Sequence, residues 1–148
     1  MLFKDYISNL YEDIKIHLIK YIFIYTPLLG IIIYTISKTH ICFEVGDDFI
    51  SNLTNVSGVL AGFLFTSLGI LISLPSNKFI SFLKKTGHMR IIHNCIMIGI
   101  MAFLITMVLG LFNTSIKLAT YLFVVGISET FVSACYMYRV SYYSEKSE

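Results

Sequence analysis

Four stretches of the chain contain almost no charged residues, and each is close to or above the length that crosses a membrane. They cover residues 21–37, 49–77, 91–116 and 118–138, and the only charged side chain within them is Glu129. A helix needs about 20 apolar residues to span ~30 Å of hydrocarbon. The pattern therefore predicts an all-α integral membrane protein with one membrane domain over residues 1–148. We expect four transmembrane helices at about residues 21–37, 53–74, 91–112 and 118–138.

The composition points to the same location. Of the 148 residues, 56% are hydrophobic and 14% are charged, whereas a soluble domain has roughly 25% charged residues. Four apolar helices in so short a chain leave too little polar sequence to cover a soluble core. The net charge of +2 is too small to indicate direct binding of nucleic acid. The chain contains no H-E-x-x-H, G-x-S-x-G or P-loop pattern, so we expect no enzyme activity, cofactor or metal site.

The distribution of Lys and Arg predicts the orientation. Nine of the 11 basic residues lie before the first span, between the second and third spans, or after the fourth, and the other two are Lys38 and Lys117. Cytoplasmic loops hold the excess of basic residues, so both termini and the middle loop are predicted to be cytoplasmic. The abundance of Ile and Lys is typical of an AT-rich bacterial gene, which indicates a multi-pass protein of a bacterial inner membrane.

Two segments outside the spans have amphipathic patterns. Residues 1–20 place apolar side chains at helical spacing, which predicts an N-terminal amphipathic helix on the membrane surface or against a partner. The middle loop alternates aromatic and basic residues, and we expect its apolar side chains to enter the membrane interface. Its cations are candidates for docking anionic lipid headgroups or a protein partner. They are Lys78, Lys84, Lys85 and Arg90. Residues 113–117 predict a tight turn that makes the last two spans an antiparallel hairpin.

Small and hydroxyl residues recur along one face of the second span. The stripe consists of Ser51, Asn55, Gly58, Gly62, Thr66, Gly69 and Ser73. Steps of three and four residues keep the stripe on one side of a helix, and it includes a G-x-x-x-G motif at Gly58 and Gly62. Such residues let helix backbones approach closely in lipid. The stripe predicts helix packing, within one subunit or between subunits of a homo-oligomer such as a tetramer; the alternative is a helix that lines a pore.

The third span has a weaker stripe of the same kind, which begins at Cys95 and Gly99 and ends at Asn113. We expect this face to pack against the second span. The opposite side, which includes Ile96, Ile100 and Phe103, suits lipid or neighbouring helices.

Glu129 lies near the middle of the fourth span. A carboxylate there costs roughly 2.5–3.5 kcal/mol on insertion scales, so the side chain must face protein or water, and we expect it to be protonated. Thr66, Ser67 and Tyr25 lie at similar depth and are candidate hydrogen-bond partners. Glu129 with Thr66 is therefore a candidate proton or ion site, and the alternative is a buried, hydrogen-bonded carboxyl that fixes packing.

The layout resembles the small four-helix membrane subunits of bacterial anti-phage defence systems, in particular those of the Kiwa type. The features that carry this resemblance are a cytoplasmic N-terminus, four spans, the stripe with Gly58 and Gly62, and almost no soluble part. The resemblance implies an inner-membrane oligomer that detects infection-linked stress and works with a soluble DNA-binding effector.

These observations predict an oligomeric sensor or anchor that relays membrane stress, such as phage infection, to a soluble cytoplasmic effector. The second hypothesis is an ion channel or pore-forming effector lined by the second span, with Glu129 gating or selecting. The third hypothesis is a small proton-coupled transporter.

Overall fold

The computed structural model describes His17 and residues 21–40, 48–73, 78–85 and 87–145. In this part of the chain every regular element is a helix. In chain order these are α1 (Ile22–His40), α2 (Phe49–Ser73), α3 (Lys78–Lys85), α4 (His88–Leu111) and α5 (Ile116–Glu145). The amphipathic helix predicted for residues 1–20 lies outside the described residues, apart from His17.

Four of these helices are long and apolar enough to cross a membrane, which confirms the predicted number of spans. The candidate spans are Ile22–Thr39, Phe49–Ser73, His88–Leu111 and Ile116–Tyr138. Helices α2 and α4, the second and third spans, begin several residues before the predicted spans, at Phe49 and His88, because the backbone stays helical beyond the most apolar stretch. Many large apolar side chains remain exposed on the outside of the bundle, as is expected where the surrounding medium is lipid.

The last two spans form the predicted antiparallel hairpin. Helix α4 ends at Leu111, and Asn113 just beyond it adopts a left-handed conformation with φ of 48°. The Asn113 N–H donates to the carbonyl of Gly110, and the Thr114 N–H donates to the carbonyl of Leu109. This pair of bonds is the Schellman arrangement, in which a left-handed residue reverses the chain and satisfies the free carbonyls of the last turn.

The core lies where α4 packs against α5 on one side and α2 on the other. Ile96, Ile100 and Phe103 are fully or almost fully buried there, so of the two surroundings predicted for this side of α4, lipid or neighbouring helices, the structure shows neighbouring helices. Helix α4 also buries the predicted small-residue stripe from Cys95 to Thr106, because two different neighbours cover two of its sides, whereas Asn113 at the end of the stripe is exposed. Gly126 of α5 allows the ring of Phe103 to approach closely, since a Cβ at this position would lie 2.6 Å from Cε1 of that ring.

Helix α1 is peripheral and packs mainly on α5. Gly30 lies directly against the hydroxyl of Ser128. One turn further along α1, the ring of Tyr34 packs edge-on against that of Tyr121, with centroids 5.3 Å apart. No residue of the apolar window of α1 is fully buried, so most of its surface faces outward.

Helix α3 folds back onto the bundle between α2 and α4. Ile80 and Leu83 are buried, so these two apolar side chains pack on protein. The prediction that they enter the membrane interface is therefore wrong. The chain then turns into α4 through Gly87, whose φ of 76° is left-handed. Glycine adopts this conformation without the steric cost that other residues meet.

Candidate functional site

Glu129 lies inside the helix bundle near the middle of its span. It is two residues from Ile127, the midpoint of Ile116–Tyr138, which corresponds to about 3 Å along the helix axis. Its side chain is 0% exposed. Of the two surroundings predicted for Glu129, protein or water, the structure shows protein, and the protein it faces is its own chain.

The surroundings of Glu129 come from α4 and α2. The Cys95 thiol faces the carboxyl group. A Cβ added to Gly99 would lie 3.5 Å from the Cβ of Glu129 and 2.8 Å from Cδ1 of Leu64. Because Gly99 has no side chain, α4 comes close to α5 at this level and leaves space for the carboxyl group.

Neither carboxyl oxygen of Glu129 has a hydrogen-bond partner among the described residues. A thiol is only a weak donor, so Cys95 does not replace a strong hydrogen bond. A buried carboxylate without a partner is very costly, whereas a neutral acid is tolerated at lower cost. The arrangement can therefore hold a proton and would have to open before the carboxyl could exchange it with water.

The partners predicted for Glu129 from depth alone are Thr66, Ser67 and Tyr25, and none of them forms a hydrogen bond with its carboxyl group. Thr66 is exposed, and its hydroxyl donates to the carbonyl of Gly62 in its own helix at 3.0 Å. Ser67 likewise donates to the carbonyl of Phe63 at 3.0 Å. Depth along the membrane normal does not determine which face of a helix a residue occupies, and Thr66 lies on a face that turns away from Glu129. The combined site of Glu129 and Thr66 is thus not formed within one chain.

The stripe of α2 lies on the outside of the bundle. All its members are exposed except Gly58, which is half-buried against Met107. The packed face of the same helix consists of Leu53, Ser57, Ala61, Leu64 and Leu71. At 3.6 residues per turn, the centres of the two faces are about 150° apart. The stripe therefore does not serve packing within the subunit, which was one of the two predicted packing roles.

The shape of this outer face is a shallow groove. No atom lies within 4 Å of a Cβ added at Gly62 or Gly69. Large exposed side chains border the glycines on both sides. They are Phe65 and Ile72 along one border and Val59, Phe63 and Ile70 along the other. We call this face, from Ser51 to Ser73 with its two borders, the α2 groove.

The basic candidates lie at the end of the bundle where α2 stops and α4 starts. Lys84 and Lys85 are exposed at the end of α3, and Arg90 is exposed in the first turn of α4. The side chain of Lys78 lies outside the described part of the structure. The three described cations thus share one end of the molecule, as the middle-loop prediction requires.

Sequence reasoning missed the pairing of Cys95 with Glu129. The signal was present in the hairpin, because a chain that reverses at Asn113 and Thr114 brings Glu129 level with Ile98 and its neighbour Gly99. One helical turn before Gly99 is Cys95. Among the described residues, no three His, Cys, Asp or Glu side chains come together in a way that could hold a metal ion.

Comparison of the chain with protein-family models, with curated proteins and with solved structures finds no match.

Proposed function

We propose that the protein is a homo-oligomeric sensor or anchor of a bacterial inner membrane, whose subunits meet along the α2 groove. In this proposal the assembly relays a change in the membrane, such as that caused by phage infection, to a soluble cytoplasmic effector. The observation that carries the proposal is the position of the small-residue stripe opposite the packed face of α2.

The chemistry of the groove favours contact between helices over a water-filled pore. The hydroxyl of Thr66 donates to the carbonyl of Gly62, and that of Ser73 donates to the carbonyl of Ile70, both at 3.0 Å. These groups therefore do not need water. Glycines between large apolar borders allow a second helix to approach closely, which is how helices associate in lipid.

A second copy of α2 is the natural occupant of the groove. A closed ring of subunits places the same helix of each protomer against its neighbours, and we favour a tetramer. In such a ring Glu129 lies in the interior of each subunit and does not line the central axis. The pore hypothesis with Glu129 as its selecting residue receives no support from this geometry.

The exposed lysines provide the route to a partner. Lys84 and Lys85 project from the end of α3, whose apolar residues Ile80 and Leu83 hold it on the bundle. A movement of α2 or α4 would therefore shift the lysines with α3. Among the described residues, little other surface lies outside the four candidate spans. The resemblance to Kiwa-type membrane subunits supports the same division between membrane sensor and soluble effector.

The test of assembly is the mass of the particle in a mild detergent, measured for Gly62→Ile and for the control Thr35→Ile. Thr35 is an exposed position on α1, so the control adds similar bulk outside the groove. We expect the wild type and Thr35→Ile to form the same oligomer and Gly62→Ile to fall apart into smaller species. Equal masses for all three would refute the α2 groove as the interface.

The test of the relay uses the same preparations. A cytoplasmic protein should co-purify at a fixed ratio with the wild type and be lost from the variant Lys84→Glu/Lys85→Glu, while the oligomer stays intact. A pore makes a different prediction: a cysteine introduced at Thr66 would react with water-soluble thiol reagents, and liposomes would leak ions. Reactivity and leakage together, without a bound protein, would replace the sensor proposal by the pore.

A further inference from the structure

We propose that a cavity between α2, α3 and α4 binds the phosphate-containing headgroup of an anionic phospholipid. The cavity has a volume of about 260 Å³. Its lining consists of Leu71, Ile72, Ile80, Lys84, Met89 and His93. Pockets for drug-sized ligands measure roughly 300–1,000 Å³, so the space suits a headgroup and not a complete lipid.

The cavity lies at the level where the apolar spans end. Helix α2 stops at Ser73, and α4 begins at His88, so the residues of the lining lie within two turns of the membrane boundary. This is the depth at which the phosphate of a phospholipid resides. Basic pockets between transmembrane helices at this level are a known means of binding anionic headgroups.

The lining has two chemically different parts. Lys84 and His93 are exposed and supply N–H donors, whereas Leu71 and Ile80 are 3% and 4% exposed and form an apolar floor. Among the described residues, no carboxylate lines the cavity. The Lys84 ammonium can donate to a phosphate oxygen, and such a charge-assisted bond is among the stronger hydrogen bonds in proteins.

The apolar side chain of Ile72 in the lining favours a lipid over a free phosphate as the ligand. Ile72 lines the cavity and is 70% exposed on the outer surface of α2. Ile72 also borders the α2 groove, on the side nearer the packed face of α2, so an acyl chain that leaves the headgroup can run along the side of Ile72 that faces away from the groove and from a second copy of α2. A free phosphate ester would gain the donors but would leave this apolar wall uncovered.

The chain supplies a matched control. Lys85 is adjacent to Lys84 and is also exposed, but it does not line the cavity. Each lysine contributes the same charge to the general attraction of anionic membranes. A difference between Lys84→Gln and Lys85→Gln therefore isolates the cavity from the general effect.

The experiment measures the affinity of the detergent-purified full chain for phosphatidylglycerol by native mass spectrometry, with phosphatidylcholine as the uncharged competitor. We expect the wild type to retain phosphatidylglycerol selectively. Lys84→Gln, which removes the charge, and His93→Leu, which removes the N–H donor, should each weaken that binding about tenfold, the size of the contribution of one hydrogen bond to a charged group. Lys85→Gln should change the affinity less than twofold, and Lys84→Arg should retain it.

Three results would overturn the proposal. The first is equal binding of the two lipids by the wild type. The second is an equal loss of affinity in Lys84→Gln and Lys85→Gln, which would assign the preference to surface charge. The third is displacement of phosphatidylglycerol by millimolar glycerol phosphate, which would show that the acyl chain contributes nothing. His93→Leu provides an independent measurement if Lys84→Gln does not fold, and circular dichroism checks the helix content of every variant.

Discussion

Replacement of Gly126 by alanine should destabilise the bundle, because Gly126 is where the ring of Phe103 touches the backbone of α5. The added Cβ would lie 2.6 Å from Cε1 and 2.8 Å from Cδ1 and Cζ of that ring. Ordinary contact begins at 3.4 Å, so the ring and the helix would have to separate by about 0.8 Å. The ring is fully buried, and it cannot rotate away from a contact made by three of its own atoms.

The loss in the free energy of unfolding caused by Gly126→Ala can be isolated by comparison with the same substitution at Gly62. Forcing extra atoms into a packed core costs about 1–3 kcal/mol, whereas Gly→Ala in a helix gains up to about 1 kcal/mol in helix propensity. Gly62→Ala shares the gain but meets no atom within 4 Å. The difference in the free energy of unfolding between Gly126→Ala and Gly62→Ala is therefore the packing cost alone, about 1–3 kcal/mol.

The assay is reversible unfolding in mixed micelles, followed by circular dichroism while the fraction of denaturing detergent rises. It is performed at protein dilutions where the subunits are separate, so that assembly does not contribute. A third variant, Gly126→Ala/Phe103→Leu, removes the part of the ring that causes the clash and should recover stability relative to the sum of the single changes. Equal stability of Gly126→Ala and Gly62→Ala, or no coupling in the double variant, would refute the argument.

Three further predictions use the same unfolding assay. Glu129→Met should raise the free energy of unfolding by about 1–3 kcal/mol, because it removes a buried carboxyl whose oxygens have no partners; a loss of stability would reveal a hydrogen bond that the structure lacks. Asn113→Val should cost about 1–2 kcal/mol, because its φ of 48° disfavours a β-branched residue, while Asn113→Gly should be tolerated; equal effects would contradict the left-handed turn. Thr106→Val should cost at most about 0.6 kcal/mol, a typical value for a hydrogen bond between membrane helices, because the Thr106 hydroxyl donates to the carbonyl of Ala102 in its own helix at 2.8 Å and reaches the carbonyl of Ala119 only at 3.4 Å; a larger loss would contradict this order of the two contacts.

The sequence predicts the number and approximate position of the spans, because the cost of placing charge in hydrocarbon keeps charged residues almost entirely out of these stretches. It does not predict which side of each span faces protein. In a soluble helix polar residues mark the outer face, but in lipid both faces are apolar, so Ile96 and Phe103 on α4 give no directional signal. For the same reason the sequence of the α2 stripe is compatible with contacts within a subunit and with contacts between subunits. Only the fold, which places the stripe on the outside of the bundle, distinguishes the two roles.

The candidate site shows the same limit at the level of single residues. The burial of Glu129 follows from one number, the cost of a carboxylate in the bilayer, and it is confirmed. Its neighbours depend on the rotation of three helices about their axes, which local sequence does not determine. Thr66 lies at the depth of Glu129 but on a face of α2 that turns away from it. Cys95 lies on the face of α4 that packs against α5, and the turn at Asn113 sets the register that brings it close to the level of Glu129.

The contact of α1 with α5 has a consequence for the order in which the protein is made. Gly30 and Ser128, which touch in the finished bundle, are separated by 98 positions in the chain. At about 5–20 residues per second, a ribosome needs roughly 5–20 s to pass from one to the other. During that interval the first span, which has the lowest mean hydropathy of the four, resides in the bilayer without its final partner. Closure of the bundle is therefore among the last events of biosynthesis, and a chain that stops before Tyr121 leaves α1 without the surface on which it packs.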